Sequence, residues 1–390
     1  MQMSRLTIFA TGFSLRGLRV LFCIASLFLI SCADEKKKEA ASAPVVPQKN
    51  HYANYFRLYK HEGYTLLVTY LNPERTDSLA YAVYSGGKPA VDRDVYCVQA
   101  PVKKVACLAS VFTGFMKRLG EWQHIGAVDN MDFISDSLLL QQYANGNIKE
   151  LAKNGPLNFE QAVISKMDVL FINPGGDKLR DMDKRLLSAG ITPVVCADYY
   201  ENHPLGRAEW IRVLGLFMGV EKKADSLFQA TEERYLALKR GADTCSYKPT
   251  VFSELKTNDT WYAAGGESSL ARLLADAGAD YLWKDNGKTS VTALNMEQVM
   301  QKALNADYWI NLHLTNSAAG VLALDKRYGE FRAFKQRRLF NNNALSNAKG
   351  ANAYWENGLC NPDEILADLI SIFHPALQPG HKLKYYKQLK

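Results

Sequence analysis

Four short, almost wholly apolar runs at 105–109, 125–128, 169–172 and 193–196 carry the first half of the chain. Each is too short for a buried helix and reads as a strand covered on both faces. Around 111–119, 158–166 and 178–189 the pattern between them turns helical. Parallel strands joined by helical crossovers satisfy this alternation, which constrains the fold more than any other feature. The same grammar returns after residue 250. There 251–254, 281–283, 308–311 and 339–340 read as strands. One helix is marked by Leu270, Leu273, Leu274 and Ala277 behind a Ser268 cap. The last opens at Asn361-Pro362 and runs through Ile365, Leu366, Leu369, Ile370 and Phe373. Between the two blocks lies a strand-free stretch. Trp210, Leu214, Phe217 and Met218 have helical spacing up to Gly219, and a second helix follows from Lys222 with Leu227, Phe228, Thr231, Tyr235 and Leu238 on one face. The expected fold is α/β, with two Rossmann-like lobes bridged by a long rigid helix.

Residues 1–31 contain Arg5, Arg16 and Arg19, no acid, and the apolar run 20–30. That run is shorter than the roughly 20 residues of a spanning helix, and the pattern is that of a signal peptide. Leu29-Ile30-Ser31-Cys32 resembles the bacterial lipobox, which makes Cys32 the lipidated first residue of the mature chain. Residues 34–48 are charged and then Ala-, Ser- and Pro-rich, with too little apolar surface to pack, and are expected to be a tether. From 52 to 85 aromatic and polar residues alternate, which suits a small antiparallel sheet over one edge of the first lobe. The expected divisions are leader 1–31, tether 32–50, accessory β region 51–100, first lobe 101–206, bridge 207–241 and second lobe 242–390. The body is longer than one core usually holds, as two lobes require.

The formal charge of +7 falls by three when the leader's arginines leave. The remaining basic residues are scattered, so no nucleic-acid partner is expected. Beyond Cys23 and Cys32, five cysteines are widely spaced, with no C-x-x-C pair and hence neither zinc knuckle nor redox motif. Cys107 and Cys196 sit in strand-like runs and are read as core residues.

Several strings occur in a telling order: Val102 to Ser110, Leu119 to Asp129, Leu157 to Phe171 and Leu186 to Val194, then Trp261 to Ser269, Leu273 to Ala279 and Leu294 to Val299. Together they resemble the periplasmic binding protein family that serves iron-chelate and cobalamin ABC importers, over nearly all of 101–377. The resemblance implies a ligand held between two lobes with little hinge closure, and a glutamate on each lobe that pairs with arginines of the permease. The matching positions are Glu160, in Asn158-Phe-Glu160, and Glu297, in Asn295-Met-Glu297. It also implies a lipid-anchored, monomeric receptor on the periplasmic side of a bacterial membrane. Its ligand would be an iron siderophore, haem or related chelate; cobalamin and a free zinc or manganese ion are the alternatives.

Loops at the carboxyl ends of the strands should line the cleft. They carry Ser110, Phe112 and Thr113, the segment 174–176, Tyr199 and Tyr200, Trp261 and Tyr262, His313, and Tyr354 with Trp355. Phe112, Tyr199, Tyr200, Trp261, Tyr262, His313, Tyr354 and Trp355 are the expected ligand-binding residues, since aromatic walls suit a large chelate. Trp261 and Tyr262 stand out because Gly265-Gly266 follows them and permits close backbone approach. Arg207, Arg327 and Arg332 could meet an anionic ligand. The sequence has no G-x-S-x-G, H-E-x-x-H or P-loop motif, so neither an enzyme nor a resident cofactor is expected. His124, His203 and His313 are scattered rather than clustered as a resident metal site would require.

Overall fold

The computed structural model describes residues 46–390 apart from 154, 177 and 314; the leader and Cys32 lie outside the described residues. β1 (Val46–Gln48), β2 (Phe56–His61), β3 (Tyr64–Tyr70), β4 (Ser78–Tyr84) and β5 (Val95–Gln99) form one sheet in that order. Its pairs are antiparallel except β4 with β5. The alternation seen in the sequence sets its faces: Phe56, Leu58, Leu67, Leu79, Tyr81 and Val83 all point into the first hydrophobic core. The sheet begins at Val46, inside the stretch whose composition reads as a tether. Residues 51–55 are strapped to the body by two buried carboxylates. Glu209 accepts the backbone N–H groups of His51, Tyr52 and Ala53, and Glu201 those of Asn54 and Tyr55.

The first lobe runs β6 (Val105–Cys107), α1 (Ser110–Leu119), β7 (Ile125–Val128), α2 (Ser137–Ala144), β8 (Lys149–Glu150), α3 (Phe159–Ile164), β9 (Val169–Ile172), α4 (Lys178–Asp181), α5 (Lys184–Ser188) and β10 (Thr192–Val195). Its five strands are parallel in the order β10-β9-β6-β7-β8. This is the doubly wound arrangement, with its switch point between β6 and β9. Cys107 and Cys196 are fully buried, as read from the sequence, and all five described cysteines are free. The single helix expected over 178–189 is two, because the Asp183 side chain turns to the Arg185 backbone N–H at 2.8 Å and caps a new helix there.

Three helices follow: α6 (Pro204–Glu209), α7 (Ile211–Phe217) and the bridging α8 (Glu221–Asp243). Gly219, at φ +68, ends α7 as its position in the sequence suggests. With 23 residues α8 spans about 35 Å. Ala224 and Phe228 in its first half belong to one core; Tyr235 and Ala242 in its second belong to another. One helix is thereby built into both lobes.

The second lobe runs β11 (Thr250–Ser253), β12 (Lys256–Thr257), β13 (Thr260–Ala263), α9 (Ser269–Asp276), β14 (Asp280–Tyr281), β15 (Thr292–Leu294), α10 (Met296–Ala303), β16 (Tyr308–Ile310), α11 (Ala318–Leu324), α12 (Arg332–Lys335), β17 (Leu339–Asn341), α13 (Ala353–Glu356), α14 (Pro362–Phe373) and β18 (Lys387–Gln388). The main sheet has the order β14-β11-β16-β17-β18, parallel except for β18. Its switch point falls between β11 and β16. A small antiparallel sheet, β12-β13-β15, sits beside it.

The lobes also touch through α1. Gly114 lies so close to the backbone of Glu356 in α13 that a Cβ there would overlap its carbonyl oxygen. Gly114→Ala should therefore cost about 1–3 kcal/mol, read by urea unfolding; an unchanged midpoint would mean that α1 and α13 part without penalty. His203 caps α6, its Nδ1 accepting the Leu205 N–H at 3.1 Å. Burial lowers its pKa to about 4, with the Arg272 charge adding to the effect. Because the folded value lies below the free value of about 6.5, this stability is present above pH 6.5 and is lost as pH falls toward 4. Up to about 3 kcal/mol should disappear over that window. His203→Asn, which keeps a capping acceptor, should flatten the pH dependence in unfolding experiments at pH 7 and 4.5.

Candidate functional site

Where β11, β16 and β17 end, side by side, Glu254, Asn311 to His313 and Asn342 with Asn343 follow directly. All of these but the core residue Leu312 line a cavity of about 460 Å³ together with Asn316, residues 346–350, Asn352 and Trp355. A second space of about 90 Å³ shares Glu254, Asn311 and Trp355 and reaches Arg207 and Tyr354. The cavity thus sits at the strand ends, where open α/β sheets hold ligands.

An amide network holds these loops. Asn341 donates to the carbonyls of His313 and Thr315, both at 2.8 Å, and accepts the Leu312 N–H. Asn352 donates to the Asn342 carbonyl at 2.9 Å. Buried Asn343 lends its N–H groups to Thr315 and Asn316, while its Oδ1 has no partner among the described residues. Toward the first lobe, Asn347 donates to the Ile134 carbonyl and Lys349 pairs with Asp132 at 2.9 Å. Glu356, next to Trp355, accepts the backbone N–H of Ser135 at 2.8 Å.

Glu254, Asn311 and His313 all adopt left-handed backbone conformations, with φ of +75, +57 and +50. Each costs about 1 kcal/mol or more in an L-residue. His313 Nε2 lies 3.2 Å from Glu254 Oε2. Burial pushes the Glu254 carboxyl up to about 7, against a hydrogen bond from Asn311 that lowers it. Burial lowers the His313 pKa, opposed by a hydrogen bond to the Leu255 backbone. Asn311 is fixed in turn by the Tyr386 hydroxyl, which donates to its Oδ1 at 2.9 Å. Glu254 forms no ion pair with Lys or Arg among the described residues.

The expected aromatic wall is only partly present. Trp355, 50% exposed, lines both spaces, His313 the larger and Tyr354 the smaller. Tyr199, 43% exposed, stands at the end of β10 with its hydroxyl on the Pro174 carbonyl at 3.2 Å. Tyr200 packs on Tyr55, and Phe112 is fully buried in the first core. Trp261 is a correction. Period-two alternation in β13 turns its indole inward, stacked on Phe252 and Trp309 with Nε1 on the Ser253 carbonyl, while Tyr262 is left on the outer face. Gly265 and Gly266 admit the backbone of 283–290 rather than a ligand. Arg327 and Arg332 are occupied by Asp325 and Asp307. Arg207 pairs with Asp198 at 2.9 Å and borders the smaller space.

Glu254 and the asparagines were missed. The signal was present in Asn341-Asn342-Asn343, which directly follows a strand, with Asn347 and Asn352 soon after. Among the described residues no group of three His, Cys, Asp or Glu could hold a metal ion. Another depression, of about 730 Å³, lies between α8 and α14, lined by residues such as Ala237, Leu238 and Ile370, away from the strand ends.

Two α/β lobes on a shared helix, with a polar cavity at the strand ends, define a bilobal binding protein. Residues 105–344 match the periplasmic binding protein family, and the chain belongs to it. An uncharacterized lipoprotein of Methanocaldococcus jannaschii is 29% identical over 248 residues, covering 62% of this chain and 56% of that one. A second uncharacterized lipoprotein of the same organism is 24% identical over 365 residues, covering 87% and 86%. The chain thus spans little more than half the length of the first relative. Among solved structures, a periplasmic haem-binding protein of Pseudomonas aeruginosa superposes with TM-score 0.57 at 16% identity, covering 74% of this chain and 98% of that one. The periplasmic vitamin B12 binding protein of Vibrio cholerae gives 0.51 at 14%, covering 71% and 99%. At these identities the likeness is one of fold.

Replacing Glu254 by Gly removes a carboxylate from a left-handed position that glycine adopts freely. Stability should be unchanged or rise by up to about 1 kcal/mol, read by urea unfolding. A loss above that would show that the carboxylate's own bonds outweigh the backbone cost.

Proposed function

We propose that this chain is the lipid-anchored, substrate-binding component of an ABC importer, capturing a metal chelate outside the cytoplasm and handing it to the permease. The cavity carries this reading. A space of about 460 Å³ at the strand ends, ringed by amides, Glu254, His313 and Trp355, has the size and polarity to hold a small-molecule ligand. Its amide-rich lining suits a compact chelate with oxygen atoms at its rim, an iron siderophore before haem or cobalamin. The names of the haem- and vitamin B12-binding structures support a chelate, and the relatives named as lipoproteins support anchoring through Cys32. Titration of the purified protein with ferric siderophores, haem, cobalamin and zinc, followed by Trp fluorescence, should give saturable binding of a chelate; a response to zinc alone would favour a free-metal receptor.

Delivery rests on Glu160 and Glu297. Both are exposed, and each is the second residue of a helix opened by an asparagine cap, Asn158 before α3 and Asn295 before α10. Exposed carboxylates so matched, one per lobe, would orient a transient partner with a basic face. Reversing both charges to Arg should cut uptake at least tenfold while chelate affinity stays within twofold. Undiminished uptake would remove the docking role.

A further inference from the structure

Resting on the lipid anchor at Cys32, we infer that the outer face of the β1–β5 sheet is a second membrane contact, a foot that lies among the lipid headgroups and holds the folded body against the bilayer. Strand alternation sends Phe56, Leu58 and Leu67 into the first core and their neighbours outward. Pro47, Tyr59, Leu66, Ala82 and Cys97 stand side by side across the five strands, with Val68 and Ala80 in the next row. The solvent side of an antiparallel sheet normally turns polar; this one does not. Of the outward positions on β2 to β5 none is acidic, and the one arginine, Arg57, turns its Nη1 onto the carbonyls of Ala53 and Phe56. Tyr59, Leu66, Val68 and Tyr84 belong to none of the hydrophobic cores of the described residues.

Three observations favour a lipid surface over another protein. The first is reach. Residues 33–45 are all that separate Cys32 from Val46, where the edge strand β1 begins, so the anchor lies within about 50 Å of this sheet. The second is area. Five strands about 4.8 Å apart, with about six residues each, present about 450 Å². That is little more than half of the roughly 800 Å² that each partner of a stable complex buries. So small a patch holds a free partner weakly, but a tether that keeps it at high local concentration beside the bilayer makes it sufficient. The third is chemistry. Tyr59, Tyr64, Tyr70 and Tyr84 occupy outward positions, and their hydroxyls have no hydrogen-bond partner among the described residues. A ring that can sink among acyl chains while its hydroxyl bonds a headgroup is what the membrane–water interface selects. With almost no charge on the face, zwitterionic lipid is enough.

The test uses the full lipid-modified chain in phosphatidylcholine vesicles doped with a lipid that carries a diazirine on its acyl chain close to the headgroup. After photolysis and digestion, residues 57–84 should carry at least fivefold more lipid per residue than the rest of the folded body. Leu66→Asp combined with Val68→Asp should lower that label at least fivefold and leave the urea midpoint in place, because both side chains lie outside the cores. Label confined to residues before 46, or spread evenly over the body, would overturn the membrane face while leaving the anchor standing. So would a dimer that covers the face, seen as cross-links between copies at 57–84. Failure of the wild-type chain to float with the vesicles would overturn anchor and face together. The labelling pattern of the wild-type chain decides the matter without any variant.

Discussion

Arg118, near the end of α1, holds the two halves of this protein to one axis. Its guanidinium donates to the Leu227 carbonyl at 3.0 Å and to the Thr231 hydroxyl, both on α8, and to the Cys360 carbonyl beyond α13. Burial lowers its pKa, against the raising influence of neighbours such as Asp363. A desolvated cation with several acceptors is strongly position-specific, because removing any partner leaves buried charge uncompensated. One side chain from the first lobe therefore fixes the bridging helix and the second lobe at once. Gly114, one turn earlier, lets the α13 backbone approach close enough for this to work. The cavity geometry inherits its accuracy from that clamp, since Trp355 rides on α13 and Glu356 is bound to Ser135 of the first lobe.

The lobes, the bridge and the inner face of the opening sheet were legible because each has a strong period. Fully buried parallel strands leave apolar runs, and a helix lying across two cores leaves a long apolar stripe. What escaped was short or paired only through distant sequence. β8 and β12 have two residues each, and β18 joins its sheet from the far end of the chain. The parallel pairing of β4 with β5 and the strap on Glu201 and Glu209 depend on tertiary partners that no local pattern encodes. Asp183 divided a helix because its side chain competes for backbone N–H groups, an effect that periodicity does not register.

The site was less legible than the fold for a physical reason. Aromatic residues in a strand-rich chain fill cores as readily as they line clefts, and Trp261 shows which demand prevailed: its position in β13 turns it inward onto Trp309. Polar residues immediately after a parallel strand carry more information. A strand end is the one place where such a residue can leave the core and still be rigidly held. Glu254, Asn311 and Asn342 satisfy that condition, and so does His313, the one expected ligand residue that follows a strand of the second main sheet.

Rigidity and strain in this molecule are complementary. Contacts between the lobes run from Arg118 to the Glu356–Ser135 bond and tie them firmly to each other. A preformed cavity spends little binding energy on closure. The left-handed residues at the switch point are tolerable in such a frame, because amides from neighbouring loops hold them where a flexible site would relax. The unpartnered Asn343 oxygen fits the same logic, a polar group kept ready in a buried wall. Stability given up at two strand ends, by Glu254 after β11 and by Asn311 and His313 after β16, is offset by a clamp far from them.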